Sequence, residues 1–184
     1  LPWQHLDADG FDKVMIEGRN FAYAEGLDNF VETLAKDFPN EREGLRKYAD
    51  VMGEIGKHLH DAILPRDEVN FFNTSLFSQS AYEFLNNTFS DPLLINVLCG
   101  SSLKMELDKD TLPLYTFAQG NNSFIESSWR LKGDGSLLVD SLINDIHSMG
   151  GEVICNAGVE ELIEKDGRLV AARTVHGDLY EADW

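Results

Sequence analysis

The spacing of apolar residues predicts a helical first part of the chain. Between residues 27 and 38, apolar positions recur at intervals of three or four and predict an amphipathic helix that ends before Pro39. Asn40 and Glu43 have the spacing of a capping box, so we expect a longer helix to start there and to end at Pro65. The apolar stripe predicted for it consists of Leu45, Tyr48, Met52, Ile55, Leu59 and Ile63.

Start signals for two shorter helices follow further along. Ser80 opens a second capping pattern, and Asp91 stands directly before a proline, which favours a helix start at each position. After residue 100 the signals weaken. We expect a helix around Leu114–Phe117 and then an irregular loop, because glycine and asparagine interrupt the pattern at Gly120-Asn121-Asn122.

Strand signals occur at the two ends of the chain. A short strand pair is predicted around Glu17-Gly18-Arg19-Asn20, although the residues do not fix the turn type. In the tail, Ser136 is expected to cap a helix that ends at Gly150-Gly151. A strand at Glu152–Asn156 and a three-stranded meander, with turns at Asp166-Gly167 and His176-Gly177, should follow. Leu138, Leu142, Ile146 and Met149 share one face of the predicted tail helix.

These elements predict an α+β fold with two parts. Residues 1–135 form a mainly helical body, and residues 136–184 form a helix, a strand and a β-meander. No polar linker, repeat or low-complexity tract separates the parts. We therefore expect them to pack together.

Charge, hydropathy and cysteine content indicate which partners and which location the protein has. The chain has 15 basic and 32 acidic residues and a formal net charge of -17, which repels phosphate backbones, so we expect no nucleic-acid partner. No apolar stretch approaches the roughly 20 residues that a membrane-spanning helix needs. Cys99 and Cys155 lie in apolar runs, which favours structural thiols in a reducing, cytoplasmic location.

Residue patterns alone identify no catalytic group and no metal site. The acidic turn Asp7–Gly10 has the wrong order and spacing for a calcium-binding EF-hand. His58 and His60 are two positions apart on a predicted helix and point in different directions. The aromatic residues between Phe71 and Phe89 suit either a cavity for an elongated apolar substrate or packing in the helical core, and packing is the favoured interpretation.

An ordered series of residues resembles a known flavoprotein superfamily. The tail contains, in order, Gly133-Asp134-Gly135, Gly150-Gly151-Glu152-Val153, Asn156, Val159, Gly167-Arg168 and Asp183, and the first part contains Phe11-Asp12 and Phe38-Pro39. This series resembles the middle stretch of the phytoene desaturase, carotenoid isomerase and retinol saturase superfamily of FAD-dependent oxidoreductases. Asp134 departs from it, because the superfamily more often has a second consecutive glycine there.

The resemblance implies an FAD-dependent oxidoreductase that acts on a lipophilic, isoprenoid-like substrate. Residues 1–135 would belong to the substrate side and residues 136–184 to the FAD side. Val159 resembles the residue whose backbone amide and carbonyl meet the adenine of FAD. The catalytic residues, the direction of electron transfer and the use of a nicotinamide cofactor remain unassigned.

The G-x-G-x-x-G turn with which this superfamily holds the FAD pyrophosphate does not occur in the sequence. The chain starts Leu1-Pro2-Trp3-Gln4, without an initiator methionine or a signal-peptide pattern. We therefore expect a middle portion of a longer enzyme, inactive and unable to hold FAD by itself.

Two alternatives stay open. The first is a non-enzymatic module that binds a hydrophobic ligand or partner, and the second is an amine oxidase-like flavoenzyme. Self-association through the strand predicted at Glu152–Asn156 and peripheral membrane contact of the parent protein also stay open.

Overall fold

The computed structural model describes residues 1–57, 79–101, 105 and 111–182, and these form an α+β protein. Residues 3–132 make one compact unit, and residues 133–184 together with Leu1 and Pro2 make a second. The described helices are α1 (Leu27–Asp37), α2 (Arg42–Gly56), α3 (Ala81–Thr88), α4 (Pro92–Leu98), α5 (Leu114–Glu126) and α6 (Ser136–Ser148). The described strands are β1 (Trp3–His5), β2 (Lys13–Ile16), β3 (Arg19–Ala22), β4 (Trp129–Leu131), β5 (Val159–Lys165), β6 (Arg168–Thr174) and β7 (Leu179–Glu181).

The core of the first unit is built around α2, which packs against α1 and α5. Tyr48 of α2 is fully buried, its ring stacks on Phe30 at 5.8 Å, and it meets the edge of Phe117 at 6.3 Å. Leu45, Met52 and Ile55 of the predicted stripe are buried as well, so the helical pattern is confirmed there. The remaining positions of that prediction, Leu59, Ile63 and Pro65, lie outside the described residues.

Two of the predicted helix starts are confirmed. The Ser80 hydroxyl accepts a hydrogen bond from the Glu83 amide at 3.3 Å and begins α3. The Asp91 carboxylate accepts from the Leu93 amide at 2.8 Å and begins α4, with Pro92 in the first turn. Each side chain satisfies an amide that has no partner inside its helix.

The capping box predicted at Asn40 is wrong. Residues Pro39–Glu41 form a short 3-10 turn that leads into α2, and no side chain caps α2. The Glu41 carboxylate serves another contact instead. Its Oε1 accepts from the Ser90 amide at 2.9 Å, the Ser90 hydroxyl at 2.6 Å and the Asp91 amide at 2.8 Å. Glu41 thereby joins the start of α2 to the loop between α3 and α4.

The irregular loop predicted after Phe117 is also wrong, because α5 continues through it to Glu126. Asn121 and Asn122 are buried inside this helix. The Asn121 side-chain amide donates to the Phe117 carbonyl at 2.9 Å, and its oxygen accepts from the Ser101 hydroxyl at 2.6 Å. Tertiary partners therefore override the weak helix preference of asparagine.

Two small antiparallel sheets complete the first unit. The predicted strand pair is confirmed as β2 and β3, and its two turn residues, Glu17 at φ 52° and Gly18 at φ 75°, fit a type I′ turn. The other sheet pairs β1 with β4, which lie at opposite ends of this unit's sequence. The sequence pattern did not predict this second pair.

The tail unit contains the predicted helix and meander. Helix α6 ends in a Schellman motif, in which the Gly151 amide donates to the Ile146 carbonyl at 2.9 Å and Gly150 adopts φ 84°. The capping role predicted for Ser136 is wrong. Its own amide donates to the Asp134 carboxylate at 2.8 Å, so Asp134 satisfies the helix start.

The strand predicted at Glu152–Asn156 is also wrong. The segment forms no strand, because none of the described residues pairs with it. The hairpin of β5 and β6 and the third strand β7 are confirmed, with Asp166 and Gly167 in the first turn at positive φ.

Apolar side chains of the tail unit are largely exposed. No residue of α6 is buried. The exposed apolar residues of this unit include Leu138 at 44%, Leu142 at 56%, Met149 at 78%, Val159 at 58% and Leu162 at 61%. Within its described part the tail therefore has local structure and no apolar core.

Candidate functional site

Val159 is the site residue indicated by the sequence, and it begins β5 at the open edge of the meander. The strand order is β5-β6-β7, so among the described strands β5 has a neighbour on one side only. The Gly158 carbonyl accepts from the Val175 amide at 2.9 Å, on the β6 side. A trans peptide directs its C=O and N–H in opposite directions, and the chain has no cis peptide among its described residues. The Val159 amide therefore points away from β6, outward from the sheet edge.

The partner of Val159 in the ladder supports this orientation. Val159 lies opposite Thr174. The Thr174 amide donates to the Asp178 carbonyl and its carbonyl accepts from the Gly177 amide, both at 2.9 Å. Thr174 thus uses its backbone groups in the following turn, and the two residues form a non-hydrogen-bonded pair. A register irregularity follows between Val159 and Glu161.

The approach to Val159 is set by Asn156, which adopts φ 57°. Asparagine is enriched among non-glycine residues at positive φ, because its short polar side chain tolerates that backbone. The three-residue spacing between Asn156 and Val159 therefore matches a turn that is followed by the start of β5. The asparagine turns the chain, and the valine enters the strand three residues later.

The loop before α6 lacks the backbone geometry and the free helix amide of a phosphate-binding loop. Gly133 adopts φ 117°, whereas Gly135 has an ordinary helical φ of -62°. The Asp134 carboxylate occupies the amide at the helix start, as described above. An anion approaching this helix end would meet that carboxylate, which opposes phosphate binding there.

Burial favours the neutral forms of two tyrosines and one cysteine in the first unit, Tyr23, Tyr48 and Cys99. Burial raises the pKa of the Tyr23 phenol, with smaller effects from Cys99 and Asp12, and Tyr23 donates to the Val97 carbonyl at 2.6 Å. Burial also raises the pKa of Tyr48 and of the Cys99 thiol. A raised pKa disfavours the thiolate, so Cys99 has the character of a structural thiol. Cys155 is exposed.

Two cavities lie among the described residues of the first unit. A cleft of about 610 Å³ beside the start of α1 is lined by Arg46 and Lys57, but Arg46 pairs with Asp28, and Lys57 pairs with Glu54 at 2.7 Å. A smaller cavity of about 220 Å³ lies beside Asp12. One buried carboxylate oxygen of Asp12, Oδ2, has no hydrogen-bond partner among the described residues.

Phe84 and Phe89, which belong to the predicted aromatic cluster, lie in the hydrophobic core. Phe84 and Phe89 are buried and lie 6.5 Å and 6.2 Å from the Tyr48 ring, so the packing interpretation is confirmed for these two. Phe71, Phe72 and Phe77 lie outside the described residues, as do His58 and His60.

The described residues contain neither a metal-binding cluster nor a helix able to span a membrane. Within the ranges that the structure describes, no three His, Cys, Asp or Glu side chains are grouped closely enough to hold a metal ion. None of the described helices combines the length and the apolar character that crossing a bilayer requires.

One arrangement of side chains was missed by the sequence analysis. His5 Nε2 lies 2.5 Å from Glu25 Oε2, and the His5 ring stacks on Trp129 at 4.5 Å with an interplanar angle of 21°. These residues meet because β1 pairs with β4. No local pattern in the sequence indicates that pairing.

The described elements define an α+β protein with a strand-edge amide as its candidate ligand contact. No family model matches the chain, and no curated protein matches it.

Proposed function

We propose that this chain is the middle portion of an FAD-dependent oxidoreductase and that Val159 contributes a backbone contact to the adenine of FAD. The observation that carries the proposal is the outward direction of the Val159 amide at the open edge of β5. The adenine edge presents a donor and an acceptor side by side, which an extended backbone can match without any particular side chain.

The fit between the chain and FAD is limited to the adenine end. The outward-facing Val159 amide would supply a donor, and the Val159 side chain is 58% exposed. None of the described residues is assigned to the pyrophosphate, and at the start of α6 the Asp134 carboxylate already accepts from the Ser136 amide. When bound, FAD supplies hydride-transfer chemistry. In this proposal Val159 positions the cofactor, and no catalytic residue is assigned.

The substrate of the proposed enzyme is a lipophilic, isoprenoid-like molecule. This part of the proposal rests on the sequence resemblance, including its assignment of residues 1–135 to the substrate side. An amine oxidase-like enzyme shares much of the tail pattern and would be expected to oxidise an amine. Flavin reduction by a polyene substrate and not by an amine separates the two.

A second candidate function is a non-enzymatic module that binds a hydrophobic partner. The exposed apolar side chains of α6 and the meander favour it. Such a module has no need of flavin. Stoichiometric FAD in the longer protein therefore excludes this candidate.

The test of the FAD contact compares Val159→Pro with Val159→Ile in the full-length protein. Proline removes the amide donor, and we expect it to weaken FAD binding about fivefold to tenfold, the value of one good hydrogen bond. Isoleucine keeps the amide and should leave the affinity unchanged. Titration of the apo protein with FAD measures both affinities.

A folding control is needed because proline also stiffens the start of β5. Thermal unfolding of both apo variants supplies it. If both variants are folded and bind FAD equally, the assignment of Val159 is wrong. If isoleucine weakens binding as much as proline does, the side chain and not the amide makes the contact, which also contradicts the proposal.

A further inference from the structure

The sheet formed by β1 and β4 presents aromatic rings on one face. Trp3 pairs with Leu131 and His5 pairs with Trp129. Residues directly opposite in a ladder share a face, and so do residues two apart on one strand. These four side chains therefore lie on the same face, which we call the indole face. Arg130 alternates to the other side.

The tryptophans of the indole face are open to solvent. Trp3 is 56% exposed and Trp129 is 54% exposed. Large indole rings are usually well buried in a folded protein, and exposed ones are enriched where partners bind. The His5 ring stacks on Trp129, and its Nε2 contacts Glu25.

Acidic groups adjoin the indole face. Glu25 uses its Oε2 for His5, and its Oε1 accepts no hydrogen bond from the described residues. The Glu25 amide donates to the carbonyl of Ala8 at 2.8 Å, and the two neighbours of Ala8 in the sequence are the exposed acidic residues Asp7 and Asp9. The whole chain has a formal net charge of -17. The surface therefore combines open indole rings with negative charge.

We propose that the indole face binds an arginine side chain from a basic segment of a partner protein. A guanidinium group is planar and weakly hydrated, so it stacks on an indole ring and donates to a carboxylate at the same time. Trp3 and Trp129 offer the rings, and Glu25 Oε1 offers the acceptor. The negative charge attracts basic segments and repels phosphate-bearing ligands. This inference is independent of the proposed FAD contact.

The experiment uses a short peptide with two arginines, and it compares peptides with lysine or citrulline in their place. Trp184 is replaced by Phe, so that Trp3 and Trp129 are the remaining fluorescent tryptophans. We expect the arginine peptide to change their emission saturably. The lysine peptide should bind several-fold more weakly, and the neutral citrulline peptide should not bind.

Two variants test the rings, and one tests the acid. Trp3→Ala and Trp129→Ala should each weaken binding of the arginine peptide about fivefold or more, as expected for loss of a cation–π contact. Glu25→Gln should weaken it similarly. Matched controls are Met15→Ala, which shortens an exposed apolar side chain on the other small sheet, and Glu43→Gln, which removes one exposed charge from α2. The controls should bind as the parent does.

Peptide binding to the tryptophan-to-alanine variants is followed by calorimetry, with circular dichroism as the folding control. Trp3→Ala leaves the His5 and Trp129 stack intact, so it keeps the test valid if Trp129→Ala fails to fold. Equal affinity of folded Trp3→Ala and the parent contradicts the proposal. Equal binding of the lysine and arginine peptides contradicts it too, since that result indicates nonspecific charge attraction.

Discussion

The two units of the chain use their apolar residues in opposite ways. Every buried apolar residue among those described lies between Phe21 and Ile125, in the first unit. In the tail unit, α6 buries none of its side chains, although Leu138 and Leu142 follow the same helical spacing as the buried stripe of α2. The comparison teaches that apolar spacing predicts which face a helix would bury. It does not predict whether another element covers that face.

Local interactions account for the structure of the tail. A helix of 13 residues such as α6 is marginal in water without tertiary packing. Its ends are satisfied by Asp134 and by the turn at Gly150, and the hairpin is set by the type I′ turn at Asp166 and Gly167. The first unit adds tertiary burial to such local signals. Substitutions should therefore affect the two units through different mechanisms.

The largest contrast is expected between two identical substitutions. Leu45→Ala removes a fully buried side chain of α2 and should lower the free energy of unfolding by about 2–5 kcal/mol. Leu142→Ala removes a side chain that is 56% exposed on α6 and should change it by less than about 0.5 kcal/mol. Urea unfolding of both variants measures the difference. A cost at Leu142 comparable to that at Leu45 would show that α6 is covered in solution.

The burial of Leu45 was predicted from the sequence. Its helical spacing, together with the capping residues Ser80 and Asp91, was enough to predict α2, α3 and α4, because those signals act within one or two turns. The same reasoning failed at Asn121. Its amide groups are satisfied by Phe117 and by Ser101, which is 20 residues away in the sequence.

The candidate site was predictable in part. Val159 is a candidate because of its place in an ordered series of residues, and the hairpin was predicted from its turn residues. The outward direction of the Val159 amide could not be predicted, because it depends on the register with Thr174 and Val175. The indole face was likewise hidden, since it requires the pairing of β1 with β4. Long-range pairing leaves little trace in local composition.

An intermediate effect is expected for the polar link inside the first unit. Glu41→Gln replaces a carboxylate that accepts three hydrogen bonds by a neutral amide and should cost about 1–3 kcal/mol of unfolding free energy. The matched change Glu43→Gln on the exposed surface of α2 should cost less than about 0.5 kcal/mol. Thermal unfolding distinguishes the two. Equal stability of both variants would mean that the Glu41 contact contributes nothing.

The smallest effect is expected at the end of the tail helix. Gly150→Ala places a side chain at φ 84° and should destabilise the end of α6 by about 1 kcal/mol. Gly135→Ala, at φ -62° with no atom within 4 Å of the added carbon, should be neutral or slightly stabilising. Amide hydrogen exchange across α6 reports both changes. Faster exchange in the Gly135 variant than in the Gly150 variant would contradict this account of the helix end.

The register irregularities of β5 also bear on aggregation. Regular, flat edge strands invite open-ended addition of further strands, and bulges and charged side chains discourage it. β5 has irregularities at Val159/Glu161 and at Ile163/Glu164, and it carries the acidic residues Glu160, Glu161 and Glu164. The irregularities and the acidic side chains therefore oppose the addition of a second polypeptide strand at the edge of β5.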